Sequence, residues 1–442
     1  MRNKFELYKH LLLFFLIILI IVAPMPAYGE LDYSTFDGEA VFVYELNSEE
    51  IIVNVNENEL MYPGSLTKIM TVLVAAEYSD TSDVITITKD MLSLIQKDSS
   101  TAGLVENEII TFNNLVSAAL IPSGNDAAIA LAVFVGEKIL GSGIYTYEDY
   151  YNAFISRMNF KARELGMLNT HFSNADGYYD DENYSTAYDL YLLTRKALEC
   201  DIIINTVSKK SLSLTTNQKS HVWRSTNMMF FEDLSDFSYG MSGANPTYNP
   251  YVNGMKTGYT SKGKKCFIFT ASNGEKNIIG IILHADNSDS KNIFNQAQMI
   301  LNYIFEECSL YQLVNEDTRS YSYSVFNSSF FNLTRKLTCY MSNEDLILIN
   351  NSDYDNITLE IELNNEIAEF KENGMIKLNS NIKKGDIIAY GKFMVNGNII
   401  KIIPMISSRN FYRFFILDSL LIIIFIAFLV ILIKHIKAAK KG

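Results

Sequence analysis

The 442-residue sequence is poor in the residues that mark several protein classes. Seven Pro and 22 Gly exclude collagen-like and Pro-rich chains. Only four Cys are present, with no CxxC pair and no Cys/His cluster, so neither a zinc site nor any other metal or cofactor site is indicated. The four Cys could form disulfides in an exported chain or remain buried thiols, and both alternatives stay open.

Positive charge is scarce in the body of the chain. The sequence has 37 Lys+Arg against 50 Asp+Glu, a net charge of −13. Residues 1–29 carry +2 and residues 409–442 carry +5, which leaves −20 for residues 30–408. An acidic body argues against nucleic acid as a partner. The hydrophobic fraction of 48% is ample for packed cores and excludes wholesale disorder.

The N-terminal apolar run, Leu11–Val22, is 12 residues long, whereas a spanning helix needs about 20. A charged start, this short run and the small-residue site Ala27-Tyr28-Gly29 together predict a secretory signal over residues 1–29. An anchor that is never cleaved is the alternative.

The C-terminal apolar run, Phe414–Ile433, is 20 residues long and is broken only by Asp418 and Ser419. At 1.5 Å per residue it would span about 30 Å, the thickness of the hydrocarbon core. Basic residues follow it at Lys434, Lys437, Lys440 and Lys441. The positive-inside rule then predicts a single-pass anchor in residues 409–442, with a cytoplasmic tail and residues 30–408 outside.

Between the two ends, strand and helix patterns predict an α+β domain over residues 30–310. Apolar, β-branched runs predict strands at 40–44, 51–55, 252–257, 266–271 and 278–285. Residues 80–235 are mostly helical by pattern, and a helix over 289–306 closes the block. One antiparallel sheet built from both ends of the block, with the helical insertion packed on it, is the economical arrangement. Short strands between Asn, Gly and Asp turns predict a small all-β domain over residues 311–408.

The ordinary hydrolase patterns GxSxG and HExxH are missing, but three other short motifs could carry chemistry. The first is SxxK at Ser65 and Lys68, whose spacing places a hydroxyl and an amine on one helix face. The same pattern recurs at Ser261, Ser288 and Ser380. Ser65 alone follows Pro-Gly and starts an apolar helix, where its plainer role is a helix cap.

The second motif is SxN at Ser123 and Asn125, with a similar triplet at Ser225-Thr226-Asn227. Its plainer interpretation is a helix start. The third is the triplet Lys256-Thr257-Gly258, which occurs once, at the end of a predicted strand. Its plainer interpretation is a strand edge protected by a Lys. Each motif alone is weak, but all three in this order are characteristic of the serine penicillin-recognising enzymes.

The flanking residues narrow the resemblance. The stretches 63–71, 123–127, 164–172, 185–189 and 256–260, with Asn174 and Gly177, resemble the D-alanyl-D-alanine carboxypeptidases among the low-molecular-mass penicillin-binding proteins. The small β domain followed by a membrane anchor is similar to that family as well. The resemblance covers roughly residues 35–408. It implies a bacterial cell-membrane enzyme of peptidoglycan metabolism with an extracytoplasmic catalytic domain, which β-lactams inhibit.

The resemblance also implies the roles of individual residues. Ser65 attacks the carbonyl between the terminal D-alanines of a peptidoglycan stem peptide, and Lys68 takes its proton. Ser123 relays a proton to the leaving amine. The substrate is bound as follows: Asn125 holds the substrate amide, Lys256 and Thr257 face the terminal carboxylate in the Lys256-Thr257-Gly258 strand, and the amides of Ser65 and Tyr259 form the oxyanion hole.

Two departures from the family pattern and three rival functions stand beside this interpretation. The family has an Ala-Gly pair where this chain has Gly263-Lys264, and an Arg near the closing helix where Lys291 is the nearest candidate. The rivals are a β-lactamase using Glu164, a wall sensor that acylates but turns over poorly, and a transpeptidase acting on the same dipeptide. A Ser-His-Asp triad would require distant residues such as His171, His221 or His284 to meet Ser65 in space.

Overall fold

The computed structural model describes residues 38–238, 240–285, 292–329, 332, 334–342, 346–414 and 416–439. The expected signal segment, residues 1–29, lies outside them. The chain divides into two compact units. Leu31–Ser309 is here called the N-terminal unit, and Leu310–Gly442 the C-terminal unit.

The N-terminal unit combines strands from both of its ends with a helical middle. Its strands are β1 Ala40–Glu45, β2 Glu50–Val55, β3 Val84–Thr86, β4 Ile109–Thr111, β5 Ser211–Thr215, β6 Ser220–Arg224, β7 Val252–Thr260, β8 Lys264–Ser272 and β9 Asn277–Ala285. Its helices are α1 Thr67–Ala76, α2 Lys89–Ser93, α3 Phe112–Leu120, α4 Asn125–Leu140, α5 Tyr147–Glu164, α6 Ala187–Ala197, α7 Asp201–Val207, α8 Leu234–Phe237 and α9 Asn292–Asn302.

A five-stranded antiparallel sheet in the order β2-β1-β9-β8-β7 forms the base of this unit. Its central strands are apolar on both faces because helices cover both. Phe42 packs on Tyr191 of α6, with ring centroids 5.1 Å apart. On the opposite face, Phe267 packs on Phe294 of α9 at 5.1 Å. The predicted sheet and its helical insertion are confirmed.

Helix α1 lies at the centre of the unit. All of its residues from Thr67 to Ala75 are buried, so it has no solvent-facing stripe. Residues of α3, α4 and α5 pack around it in one continuous core. This burial matters for the site because the first turn of α1 carries Lys68 into an interior environment.

Residues 80–235 are less uniformly helical than their pattern indicates. Two short antiparallel pairs, β3 with β4 and β5 with β6, interrupt the helices. Strands β3 and β4 have three residues each and pair across more than 20 intervening residues. Local periodicity cannot detect such a pairing, because the bonds that define it are formed by distant segments.

The closing helix is described from Asn292 onward, and its helical turns continue close to the expected end at residue 306. Helix α9 covers Asn292–Asn302, and a π-helical turn, Tyr303–Glu307, follows it. Residues 289–291, including the family-pattern candidate Lys291, lie outside the described residues. All four Cys are free thiols, three of them buried, so the disulfide alternative is wrong for this structure.

The C-terminal unit is rich in strands, as predicted. Its main sheet has the order β11-β12-β18-β17-β14. The strands after β9 are β10 Cys308–Gln312, β11 Ser320–Ser324, β12 Lys336–Tyr340, β13 Leu346–Asn350, β14 Ile357–Leu363, β15 Ala368–Phe370, β16 Ile376–Leu378, β17 Ile387–Val395 and β18 Asn398–Ser407. A separate core cluster centred on residues such as Leu337, Ile388 and Phe411 holds the unit together.

One long apolar helix, α10 Ile416–Ala439, ends the described part of the chain. Its segment Ser419–Ile436 has a mean hydropathy of 2.8, and none of that segment is buried. By length and composition this helix can cross a bilayer, which agrees with the apolar run recognised in the sequence.

Candidate active site

Ser65 lies in a tight turn that opens helix α1. Gly64–Leu66 forms one turn of 3-10 helix, and α1 begins at Thr67. Gly64 has φ +55°, a left-handed conformation that favours glycine. Ser65 caps neither helix, because neither start has a side-chain capping bond. The plainer interpretation of Ser65 as a helix cap is therefore wrong.

Lys68 follows one turn later and is completely buried. Its Nζ lies 2.9 Å from Ser65 Oγ and donates to Asn125 Oδ1 at 2.7 Å. The carbonyl oxygen of Asp176 accepts a third hydrogen bond from the same Nζ. The amine thus joins the Ser65 turn, the start of α4 and the loop around Asp176 at one point.

Burial determines the charge of this amine. Removal from water lowers the pKa of Lys68 to about 8, against the opposing influence of the Asp176 and Asp126 carboxylates. For Lys256 the pKa is also lowered, first by burial and then by the positive charge of Lys68. Burial is thus the largest cause of the lowered pKa at both lysines, and the charge of Lys68 adds to it at Lys256.

Ser123 and Asn125 stand at the start of α4. Ser123 is buried and has φ +66°, a left-handed conformation that a non-glycine residue adopts only at an energetic cost. Asn125 is the first residue of α4, and its amide N donates to Ser100 O at 2.8 Å. The neighbouring Asp126 lies in the first turn of α4. Its carboxylate accepts from Ala102 N at 2.7 Å and so holds the adjoining loop.

Lys256, Thr257 and Gly258 lie on β7, the edge strand of the sheet. Lys256 is 1% exposed and donates to Thr257 O at 2.8 Å, so it does not protect a strand edge from solvent. Thr257 Oγ1 donates to Thr226 Oγ1 at 2.6 Å. Any Cβ at Gly258 would lie 2.7 Å from Pro63 O, which shows how closely β7 passes the Ser65 turn.

The two amides expected to stabilise an oxyanion are close to one another. A Cβ at Gly258 would lie 3.2 Å from Ser65 N, and a Cβ at Gly64 would lie 3.2 Å from Tyr259 N. Both N–H groups therefore lie where the Ser65 turn packs against β7.

A loop that passes behind the Ser65 turn completes the arrangement. Gly177 has φ +77°, and a Cβ there would lie 1.9 Å from Gly64 O. The preceding Asp176 is buried, its Oδ2 has no hydrogen-bond partner among the described residues, and burial raises the pKa of its carboxyl against the charge of Lys68. Sequence motifs did not single out Asp176, because its interaction with Lys68 uses a backbone carbonyl that any residue could supply.

These elements surround one cavity of about 570 Å³. The sequence-predicted residues on its wall are Ser65, Ser123, Asn125, Thr257, Gly258 and Tyr259. The other residues on its wall were not predicted for the site: Asp98, Ser99, Ser100, Gly177, Tyr178, Tyr179, Thr226, Thr260, Ser261, Lys265, Cys266, Ile293 and Phe294. Lys68 and Lys256 are buried, and Lys68 is hydrogen-bonded to two residues of the cavity wall, Ser65 and Asn125.

Thr226 is a residue of the cavity wall that the sequence motifs did not predict. It is the middle residue of the second SxN triplet, to which the sequence assigned no function. The structure places its hydroxyl against Thr257 in the cavity wall. No local signal distinguishes it, because its position depends on the pairing of segments about 30 residues apart.

The rival catalytic groups do not line this cavity. Glu164 ends α5 and lies 3.3 Å from both Arg157 and Lys161, on the exposed side of that helix. His171 contacts Glu182 O, His221 contacts Glu108, and His284 accepts from Tyr62 N. A Glu-dependent or His-dependent mechanism therefore has no support from these four residues.

Comparison with known proteins identifies the family. A family model described as D-alanyl-D-alanine carboxypeptidase, peptidase S11, matches residues 30–287, more than half of the chain. The D-alanyl-D-alanine carboxypeptidase of Streptomyces sp. K15 is 31% identical over 251 residues, which are 55% of this chain and 78% of that protein. DacC of Escherichia coli is 25% identical over 382 residues, 85% of this chain and 84% of that protein.

DacF of Bacillus subtilis is 27% identical over 282 residues, and the match spans 63% of this chain and 64% of that relative. A crystal structure of the Streptomyces K15 DD-transpeptidase has 27% identity and a TM-score of 0.51, covering 61% of this chain and 97% of that one. DacD of Francisella tularensis, at 22% identity and a TM-score of 0.64, shares the fold over 89% of this chain and 96% of its own. The chain therefore belongs to the D-alanyl-D-alanine carboxypeptidase family, peptidase S11.

Proposed function

We propose that this protein is a serine D-alanyl-D-alanine carboxypeptidase that shortens peptidoglycan stem peptides through an acyl-enzyme on Ser65. The observation that carries the proposal is the buried Lys68 amine, 2.9 Å from Ser65 Oγ. With a pKa of about 8, roughly a tenth of this amine is neutral at pH 7 and free to accept the Ser65 proton.

In the proposed acylation step, the groups around the cavity act in sequence. Ser65 Oγ attacks the carbonyl carbon of the penultimate D-alanine as its proton passes to Lys68. The negative charge on the carbonyl oxygen meets the N–H groups of Ser65 and Tyr259. Ser123 relays a proton to the amine of the leaving D-alanine, the C–N bond breaks, and water later hydrolyses the ester.

Substrate binding falls to β7 and to the start of α4. Asn125 holds the substrate amide, while Lys256 and Thr257 face the terminal carboxylate. Lys265 adds a second cation on the cavity wall, directly across the strand pair from Tyr259. Opposed residues of an antiparallel pair share one face of the sheet, so Lys265 supplies positive charge beside Tyr259.

The protein acts outside the cell, held by α10 as a single C-terminal pass. The apolar segment Ser419–Ile436 and the basic residues that follow it support this orientation. Labelling of a Cys introduced at the exposed Ser156 of the N-terminal unit by a membrane-impermeant reagent on intact cells would test it. Labelling only after lysis would contradict the outward orientation.

The enzymatic proposal is tested with the full chain in detergent. A diacyl-L-Lys-D-Ala-D-Ala peptide should release free D-alanine, and Ser65→Ala should abolish the release. Ser380→Ala is the matched control, because it removes the Ser of another SxxK motif, which lies in the C-terminal unit. Labelling of Ser65 by a fluorescent penicillin without D-alanine release would favour the wall sensor, and absence of both would contradict the proposal.

A further inference from the structure

The chain stays hydrogen-bonded to the C-terminal unit until immediately before α10. Arg413 N donates to Asn381 Oδ1 at 3.0 Å, and Phe414 N donates to Asn327 O at 2.6 Å. Helix α10 begins at Ile416. Only one residue lies between, and one residue extends the chain by about 3.6 Å at most.

The segment before the helix is part of the fold of the C-terminal unit. Phe411 is fully buried and exchanges two backbone hydrogen bonds with Ile382, at 2.8 and 2.9 Å. Tyr412 N donates to Asn332 Oδ1 at 3.0 Å. The chain leaves the C-terminal unit at one edge, and this edge therefore lies next to the first turn of α10. We call this the exit edge, and it comprises residues 326–329, 332, 334–336, 379–386 and 407–414.

The exit edge is basic although the body of the chain is acidic. It contains six cationic side chains, Arg335, Lys336, Lys383, Lys384, Arg409 and Arg413, and one carboxylate, Asp386. Hydrogen bonds bring its segments together. Arg409 Nη2 donates to Thr334 Oγ1 at 3.0 Å, and Lys384 N donates to Asn410 Oδ1 at 2.9 Å. Asp386 Oδ2 accepts from the backbone of Lys383 at 2.7 Å.

Exposed aromatic side chains accompany the cations. Phe326 is 60% exposed, Tyr412 46% and Phe414 43%. Aromatic rings and basic side chains together are typical of protein surfaces at the boundary between a bilayer and water. A single aromatic residue would need no explanation, but these three lie on the segments that bond to the chain exit.

We propose that the exit edge is a docking surface for anionic phospholipid headgroups, so that the C-terminal unit rests on the bilayer that α10 crosses. The inference depends on the proposed membrane crossing, which brings this edge to the headgroup level. The basic side chains meet lipid phosphates, and the aromatic rings enter the interface. Because each cation near an anionic bilayer favours binding about fivefold, the attraction is sensitive to charge and to salt.

The test uses the full chain in vesicles of equal parts phosphatidylcholine and phosphatidylglycerol. Tyr412→Trp places a fluorophore at the exit edge, and its signal is the difference from the unaltered chain, which has one Trp. Either lipid is supplied with brominated acyl chains, which quench nearby Trp. We expect brominated phosphatidylglycerol to quench at least about threefold more strongly than brominated phosphatidylcholine, with the difference lost at high salt.

Two double variants separate the exit edge from net charge. Lys383→Gln with Lys384→Gln should bring the two quenching values together. Lys392→Gln with Lys401→Gln removes the same charge from the opposite half of the β17–β18 hairpin and should preserve the difference. Equal quenching by both lipids in the unaltered edge, or equal effects of the two double variants, would overturn the proposal. Loss of the difference on adding soluble polyphosphate at constant ionic strength would overturn it too, by showing that the edge prefers a soluble phosphate polymer.

Further measurements separate failure of the exit edge proposal from failure of the proposed function. The mass ratio of the two phospholipids retained by the purified chain, without the Trp substitution, should also favour phosphatidylglycerol and fall in the Lys383/Lys384 variant. Equal retention would contradict the proposal. Resistance to carbonate extraction reports on α10 alone, and D-alanine release in detergent reports on the enzyme alone. If either fails, the proposed function fails; if both persist without lipid preference, only the exit edge proposal fails.

Discussion

At the scale of single residues, the proposed chemistry depends on one buried amine. Lys68 is placed among three acceptors, Ser65 Oγ, Asn125 Oδ1 and the Asp176 carbonyl, and its pKa is lowered to about 8 by loss of water. An exposed Lys would remain charged at neutral pH and could not take a proton from a hydroxyl.

The pH dependence of acylation should reflect this pKa. Protonated Lys68 cannot act as a base, so the rate of Ser65 acylation by penicillin should rise about tenfold per pH unit below pH 7 and level off above about pH 8. Stopped-flow labelling at saturating penicillin would measure it. A rate that is flat from pH 5 to 9 would contradict the assignment of Lys68 as the base.

Lys265 should matter for substrate binding, whereas its neighbour should not. Lys265→Met removes a cation from the cavity wall, and we expect KM for the peptide to rise about tenfold, the equivalent of one lost charged interaction. Lys264→Met is the control, because the Lys264 side chain pairs with Glu39 on the exposed surface. Steady-state kinetics of D-alanine release would decide, and equal KM values for both variants would contradict the role of Lys265.

The residue types at the site were largely predictable, but their partners were not. The order of the three motifs led to Ser65, Lys68, Ser123, Asn125 and the β7 triplet, and the structure brings them around one cavity. Thr226 and Asp176 were not predicted, because one is reached through a side chain from a distant segment and the other acts through its backbone carbonyl.

At the scale of elements, the site is a junction between the Ser65 turn, β7 and the loop at Gly177. The backbones of these segments pass so close to one another that there is little or no room for a side chain at Gly64, Gly177 or Gly258. Glycine at these points lets the N–H groups of Ser65 and Tyr259 converge, which a Cβ would prevent.

Gly177→Ala should damage both the fold and the site. A Cβ 1.9 Å from Gly64 O, added to a φ of +77°, should lower the free energy of unfolding by about 2 kcal/mol or more and reduce penicillin acylation at least about tenfold. Gly274→Ala has a similar φ of +90° but open space around it, so it should cost only about 1 kcal/mol. Denaturant unfolding would compare them, and equal losses would show that conformation rather than contact dominates.

Strand β6 is hydrogen-bonded to the loop of residues 98–102, which contributes to the cavity wall. Trp223 is buried, and its Nε1 donates to Ala102 O at 2.9 Å, next to the pocket residues Ser99 and Ser100. Buried Glu108 and His221 join the same region at 2.6 Å. The short β5–β6 pair, which the helical pattern concealed, therefore has a direct structural connection to the site.

Trp223→Phe should loosen this loop without touching the chemistry. The ring is retained, but Ala102 O loses its donor, so we expect KM for the peptide to rise about three- to tenfold with a smaller change in kcat. Val222→Ala, on the exposed face of the same strand, should leave both unchanged. A fall in kcat alone would contradict a positioning role.

At the scale of the whole molecule, the proposed active site and the proposed anchor fall in separate units. All described residues that line the cavity belong to the N-terminal unit, while α10 belongs to the C-terminal unit. Removal of residues 415–442 should therefore release the enzyme into the soluble fraction at high salt, where the attraction of the exit edge to lipid is screened, with kcat/KM for a small peptide unchanged within about twofold. Fractionation followed by a D-alanine assay would measure it. A soluble but inactive product would show that the site depends on the membrane segment.

The sequence by itself determined the features that depend on composition and local order: the apolar C-terminal helix, the strand-rich C-terminal unit, the positions of the five strands of the main sheet and the three motifs. These are local because apolar periodicity and short motifs are properties of neighbouring residues. Only the tertiary structure decided the lowered pKa of Lys68, the place of Thr226 beside Thr257, the contact of Gly177 with the Ser65 turn and the gathering of six cations at the exit edge. Burial and proximity arise between segments far apart in the chain, and no local pattern contains them.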